Sequence, residues 1–295
     1  SGNTFEEPFI GRRENYYAWE WGDALFVALD PYWHTGAKPG KNGDNWGWTL
    51  GRQQYDWFRE TLGKSRAAFK FVFCHQLAGG GSEGRGGAEF SEYYEWGGKN
   101  ADGTWGFDTQ RPGWGKPIHQ LLVENGVNIF FHGHDHFFAK QERDGVIYQL
   151  VPQPGCMNSN SAGKAETYGY LEGVILPGSG FVRVTVTGKE AKIDYIRAWL
   201  PQDEKDGRKN GEIAHSYTIP AVHTPSFAPE ESWKSPNNFF LNQNIPNPFN
   251  SRTAIQYELS AGNIVHMQIY DHLGRNIKAL VNEYRPPGKH IVYWD

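Results

Sequence analysis

The sequence predicts an α/β domain, with helices layered on a mixed sheet, followed by a small all-β domain. Three observations carry that expectation. Apolar runs of strand length recur from Asp23 onward, helical patterns are interleaved with them, and a polar, proline-containing stretch after Leu200 separates them from a tail of alternating apolar and polar residues.

Taken in order, Ala24 to Leu29 is an apolar run flanked by Asp23 and Asp30, and it reads as a strand. Leu50 to Leu62 reads as a helix with Tyr55, Phe58 and Leu62 on one face, Thr49 as its N-cap and Gly63 as its terminator. Phe69 to Cys74, rich in aromatic residues, reads as a buried strand that ends at His75. Pro117 to Asn125 is a second helix: proline suits the first turn, Gly126 the stop, and Ile118, Leu121 and Leu122 form the apolar face. The run Val127 to Phe131 follows at once as a strand, and Phe181 to Val186 and Ile193 to Leu200 are alternating strands. Tyr217 to Ile219 adds a last strand to the first domain, which spans 1–220; a linker covers 221–237 and the all-β domain 238–295.

Composition excludes several classes. A formal net charge of -4 without a basic stripe argues against a nucleic-acid-binding surface. Nothing in the chain resembles a transmembrane segment of about twenty apolar residues or a basic-then-apolar signal peptide. Aromatic residues make up 15% of the chain, with 12 Trp, many of them between Tyr16 and Trp114 beside glycine. Such rings can form stacking platforms for sugars or bases, but packing accounts for them more simply. Whether the only two cysteines, Cys74 and Cys156, are paired depends on their Cα separation.

The chemistry concentrates in Phe131-His132-Gly133-His134-Asp135-His136, three imidazoles within five residues directly after a strand. Neutral imidazole is the commonest metal ligand near neutral pH, and the glycine permits the sharp turn that would let His134 and His136 converge. His75 also ends a strand, and the carboxyl ends of strands form the binding crevice of open α/β sheets, so the three histidines are expected to meet. Asp30 is read as structural. The Gly79 to Gly87 stretch is either a surface loop with a solvated arginine or a loop that brings Arg85 to a substrate phosphate; it lacks the Gly-Lys-Ser/Thr of a nucleotide-binding phosphate loop.

Cys74-His75-Gln76, Gly133-His134-Asp135-His136 and Gly145 to Val151 together resemble the last two metal-binding motifs of the calcineurin-like metallophosphoesterases, over roughly Glu14 to Leu200. The resemblance implies an α/β four-layer sandwich, incomplete at its N-terminus. It makes His75 and His134 ligands of one metal ion and His136 a ligand of a second, the ions being Fe, Mn or Zn. Only half of the site is represented: the earlier ligands have no match, since Gly2-Asn3 is followed by Thr4-Phe5, and they are expected upstream of Ser1. Asp135 would orient an imidazole through its other nitrogen. The His-x-His-x-Asp-His pattern of metallo-β-lactamase-like hydrolases is the competing reading, but the spacing from His132 to His136 is one residue short of it.

Leu241 to Asn250, Thr253 to Leu259 and Ile269 to Arg275 resemble the C-terminal sorting domain of bacterial type IX secretion cargo, an Ig-like β-sandwich, again cut short. His266, His272 and His290 in this tail lack metal-type spacing. The joint expectation is a secreted or surface-displayed bacterial phosphoesterase. It would act on a phosphorylated small molecule or macromolecule by attack of a metal-activated hydroxide, and the type IX secretion machinery would be its partner. Two alternatives remain: a secreted binding protein with a degenerate or incomplete site, and a carbohydrate-binding module using the tryptophans.

Overall fold

The computed structural model describes residues 6–7, 11–12, 15–36, 45–77, 80–155, 160–221, 239–242, 244–245, 249–270 and 276–295. The chain divides into two units, Ser1–Thr224 and Pro225–Asp295. The expected linker at 221–237 lies, apart from Ala221, outside the described residues.

In the first unit, a two-stranded ribbon, β1 (Glu6–Glu7) with β2 (Gly11–Arg12), precedes the main sheet. That sheet contains β3 (Tyr17–Trp21), β4 (Ala24–Ala28), β5 (Phe69–Phe73), β6 (Ile129–His132), β7 (Phe138–Arg143), β8 (Val146–Leu150) and β9 (Val174–Leu176), in the order β3-β4-β5-β6-β8-β7-β9. Strands β4, β5, β6 and β8 are parallel to one another, whereas β3, and β7 against β8, pair antiparallel. The parallel centre explains the continuous apolar runs, because β5 and β6 are covered on both faces and cannot alternate with polar residues.

One face is covered by helices α1 (Arg52–Lys64), α2 (Tyr94–Gly97), α3 (Phe107–Gln110) and α4 (Ile118–Glu124). Tyr55, Phe58 and Leu62 of α1 and Ile118, Leu121 and Leu122 of α4 pack there with Val27, Val72, Phe130 and Tyr148. The opposite face, with Phe69, Phe71, Ile129 and Phe131, packs on a second, antiparallel sheet of β10 (Gly180–Val186), β11 (Glu190–Arg197) and β12 (Ile213–Pro220), through Ala191 and Ile193. The described residues therefore form three layers: helices, mixed sheet and antiparallel sheet.

Three expected boundaries are corrected. Helix α1 starts at Arg52 behind its N-cap Gly51, which has a φ of 77° and whose carbonyl accepts the Tyr55 N–H at 3.0 Å; the Thr49 hydroxyl instead accepts a hydrogen bond from the Gly51 N–H at 2.9 Å. Gly63 lies inside the helix, which buries Leu62 and ends only where Ser65 turns extended. The strand expected from Ile193 to Leu200 starts earlier and stops at Arg197.

The second unit has two antiparallel sheets, β13 (Phe239–Leu241), β14 (Thr253–Leu259) and β17 (Gly288–Trp294) in one, β15 (Asn263–Tyr270) and β16 (Asn276–Arg285) in the other. Strand β14 buries Ile255, Tyr257 and Leu259, and β16 buries Val281, as an apolar-in, polar-out pattern requires. His272 lies outside the described residues. No helix among the described residues is long and apolar enough to cross a membrane.

A buried ion pair ties the helical layer to the loops. The Glu95 carboxylate is fully buried, accepts the Leu50 N–H at 2.8 Å, and pairs with Arg111 Nε at 2.6 Å. Arg111 Nη2 in turn donates to the Trp46 carbonyl at 2.5 Å. Replacing one partner strands a buried charge, so Arg111→Met is expected to cost about 3–5 kcal/mol in urea unfolding. The double variant Glu95→Gln, Arg111→Met should recover most of that loss. A single variant costing less than about 1 kcal/mol would show that the pair is solvated in solution.

His119 bridges Tyr148 Oη, 2.7 Å from its Nδ1, and Asp144, 2.9 Å from its Nε2. Burial pushes this imidazole down and outweighs the upward pull of Asp144. An NMR titration of His119 should therefore give a midpoint below 6.5. In the folded state the ring stays neutral where the unfolded chain already takes up a proton, so this group makes stability fall as pH drops below 6.5. A midpoint above 6.5 would mean that Asp144 dominates.

Candidate metal centre

The parallel pairing of β5 with β6, Phe71 against Ile129 and Phe73 against Phe131, sets both strand ends at one edge of the sheet. The pairing continues past the strands: the Cys74 N–H donates to the Phe131 carbonyl at 3.0 Å, and the Gly133 N–H to the His75 carbonyl at 2.9 Å. Gly133 leaves room for the imidazole, since a Cβ there would lie 3.3 Å from His75 Nδ1, a tight contact. The His75 and His134 rings consequently meet edge to face, with centroids 5.6 Å apart.

Burial lowers the basicity of both imidazoles. For His75 the charge of His136 adds to the effect while Asp135 opposes it; for His134, Asp135 opposes it, and Arg85, His75 and His136 add to it. Both rings are held neutral, the form that binds metal. They line a pocket of about 370 Å³ with Tyr32, Thr35, Trp48, Gln76 and Glu83. His136 is exposed and does not line this pocket, although His75 and His134 feel its charge.

His132 points the other way. It is buried between the rings of Phe130 and Tyr170, its basicity driven down to about 3 by burial, and its Nε2 has no hydrogen-bond partner among the described residues. This position, away from the pocket, separates it from the pair formed by His75 and His134.

Asp135 is also placed differently from the expectation. Its buried carboxylate accepts from Arg85 Nη1 at 2.5 Å, Tyr170 Oη at 2.8 Å and the Gly86 N–H at 3.2 Å, so it faces the glycine-rich segment and Tyr170, not a histidine ring. Arg85 is therefore no solvated loop arginine: it is paired with Asp135 and lies over the Tyr168 ring at 4.2 Å. The Asp30 N–H donates to Gln54 Oε1 and its carboxylate accepts the Tyr32 N–H, both at 2.8 Å. Cys74 is a buried free thiol, pushed up to about 12 by burial, that donates to the Gln76 carbonyl; Cys156 lies outside the described residues.

Sequence reasoning does not single out Tyr32 and Trp48, while Gln76 enters only as the residue after His75. Tyr32 follows the end of β4, and that position was the available signal. Trp48 enters from a loop, anchored by its indole N–H on the Pro31 carbonyl at 2.8 Å, and no motif marks it.

Two neutral imidazoles suit one metal ion as a pair of nitrogen donors. Among the described residues no group of three or more His, Cys, Asp or Glu side chains is placed to hold an ion. By themselves these residues do not fit a closed metal site.

No family model and no curated protein matches the chain. Solved structures similar to it include the purple acid phosphatase PPD1 from yellow lupin (Lupinus luteus) seeds, at 13% identity and a TM-score of 0.38, over 70% of this chain and 32% of that one. PhoD matches at 16% identity and a TM-score of 0.45, over 71% of this chain and 42% of its own. GAP50, the anchor in the inner membrane complex of Plasmodium, matches at 13% identity and a TM-score of 0.38, over 70% and 53%. The chain thus spans less than two thirds of each of these structures, and likeness at this level assigns no residue a role.

Gly84 tests the pocket wall. Its φ is +78°, and a Cβ there would sit 2.3 Å from Gln76 Nε2 and 2.7 Å from the Trp48 ring. Gly84→Ala is expected to destabilise by about 1–3 kcal/mol, through overpacking and a disfavoured backbone, measured by thermal unfolding. An unchanged melting temperature would mean that this wall is not packed as described.

Proposed function

We propose that this chain carries part of the active centre of a secreted metal-dependent phosphoesterase that hydrolyses phosphate esters. The observation that supports it most directly is the convergence of His75 and His134, from two different strand ends, as neutral imidazoles on one pocket. In this reading the two rings share one ion and His136 serves a second, both being Fe, Mn or Zn. The remaining donors come from outside the described residues, and Arg85 contacts a substrate phosphate. The tail, with its short antiparallel strands, serves as a type IX sorting domain of Ig-like form that addresses the protein to the cell surface or beyond.

The second reading, a secreted binding protein without turnover, is supported by the commitment of Arg85 to Asp135. Elemental analysis after Mn, Zn and Fe titration, with hydrolysis of a chromogenic phosphodiester, separates the two. Two tightly bound ions with turnover, both lost in His134→Ala, are the result expected if the remaining donors are present in the chain. Metal binding without turnover, or weak or absent metal binding, would overturn the phosphoesterase reading for this chain and leave the binding protein.

A further inference from the structure

We propose that Asp135 is a positioning residue whose buried carboxylate locks the Arg85–Gly86 segment and Tyr170 onto the histidine turn, and so sets Arg85, His134 and His136 in place. The inference rests on the phosphoesterase reading for its functional meaning and on geometry for its substance. Asp135 separates two residues with left-handed backbones, His134 at φ 79° and His136 at φ 68°. Such conformations are sparsely populated outside glycine and persist where the surroundings over-determine them.

Asp135 supplies that determination. It reaches across 50 residues to Arg85, 49 to Gly86 and 35 to Tyr170, with three donors converging on one carboxylate. The Asp135 side chain is 1% exposed and the Arg85 side chain 28%. The charge at the buried end is thus compensated by a guanidinium whose remaining surface reaches solvent. The Tyr168 ring lies under that guanidinium, and Arg85 Nε lies 3.9 Å from Glu83, which lines the pocket. Arg85 therefore stands beside a residue of the histidine pocket's wall in a fixed orientation, set by a residue that does not line the pocket. A carboxylate neighbouring metal-binding histidines commonly bonds their free ring nitrogen; here it acts through the backbone and through an arginine.

The test uses the full chain and three substitutions, Asp135→Asn, Arg85→Gln and Tyr170→Phe, read by hydrogen exchange at the Gly86 amide, trypsin cleavage after Arg85 in the variants that keep it, and Zn²⁺ affinity. Asp135→Asn should raise exchange and cleavage by about tenfold or more, because a charge-assisted bond is lost. Zn²⁺ affinity should fall by about 10–100-fold. Amides of β6 and β8 should exchange at the wild-type rate, which general destabilisation would not allow. Exchange, cleavage and affinity all unchanged in Asp135→Asn would overturn the inference. If that variant does not fold, Tyr170→Phe decides, since it removes one donor and keeps the ring: no rise in Gly86 exchange sinks the clamp. A wild-type chain that binds no Zn²⁺ brings down the phosphoesterase reading alone, while exchange and cleavage still decide the role of Asp135.

Discussion

The hydrogen bond from the Gly133 N–H to the His75 carbonyl is the contact on which the rest of the site depends. It extends the β5–β6 ladder beyond the last strand residues, so the two segments that carry histidines leave the sheet side by side. A parallel ladder has one register that buries both apolar faces. A slip by one residue would send Phe130 towards the second sheet and Phe131 towards the helices, reversing both cores. The packing of the two faces therefore fixes where the imidazoles meet, and their separation follows from the core and needs no bound ligand to set it.

Two buried carboxylates then hold the walls. Glu95 takes the Leu50 N–H and the Arg111 guanidinium, and Arg111 takes the Trp46 carbonyl, so the segment that brings Trp48 to the pocket is held on both sides. Asp135 does the same for the glycine-rich segment. Burying a carboxylate is costly unless a cation and hydrogen bonds accompany it. Each of these two has an arginine and at least one backbone N–H. The Glu95–Arg111 pair connects a loop to a helix and the Asp135–Arg85 pair joins two loops, which orders segments whose glycine content would otherwise favour many conformations.

The sheet was legible where burial is two-sided. Phe69 to Cys74 and Val127 to Phe131 read as strands because aromatic and β-branched runs of that length have few other solutions, and the strands form at Phe69–Phe73 and Ile129–His132. The histidines were legible for the same reason, since they follow those runs directly. The order β6-β8-β7 was not, because a hairpin that inserts its second strand beside β6 leaves no periodic trace. Nor was the start of α1, where a positive-φ glycine takes the place of a side-chain cap. The partners of Asp135 were hidden by distance: Tyr170 lies 35 residues away, and an aspartate between two histidines looks like a partner for imidazole until its direction is known. Spacing along a chain places residues on a turn, but the direction a side chain takes depends on the donors that fold against it.

The electrostatics of the pocket narrow what it can receive. Burial holds the facing imidazoles neutral, so they contribute lone pairs and no charge. The nearest guanidinium, Arg85, is neutralised by Asp135. The described part of the site thus offers an anion little attraction of its own, and Glu83 on the pocket wall opposes one. A phosphate would have to be drawn in by positive charge brought from elsewhere, and bound cations are the natural source for a pocket whose accessible donors are neutral nitrogens. The same arrangement without cations favours an uncharged ligand. The choice between the two is set by the number of donors that join His75 and His134, because two nitrogens fill only half of a four-coordinate ion's shell.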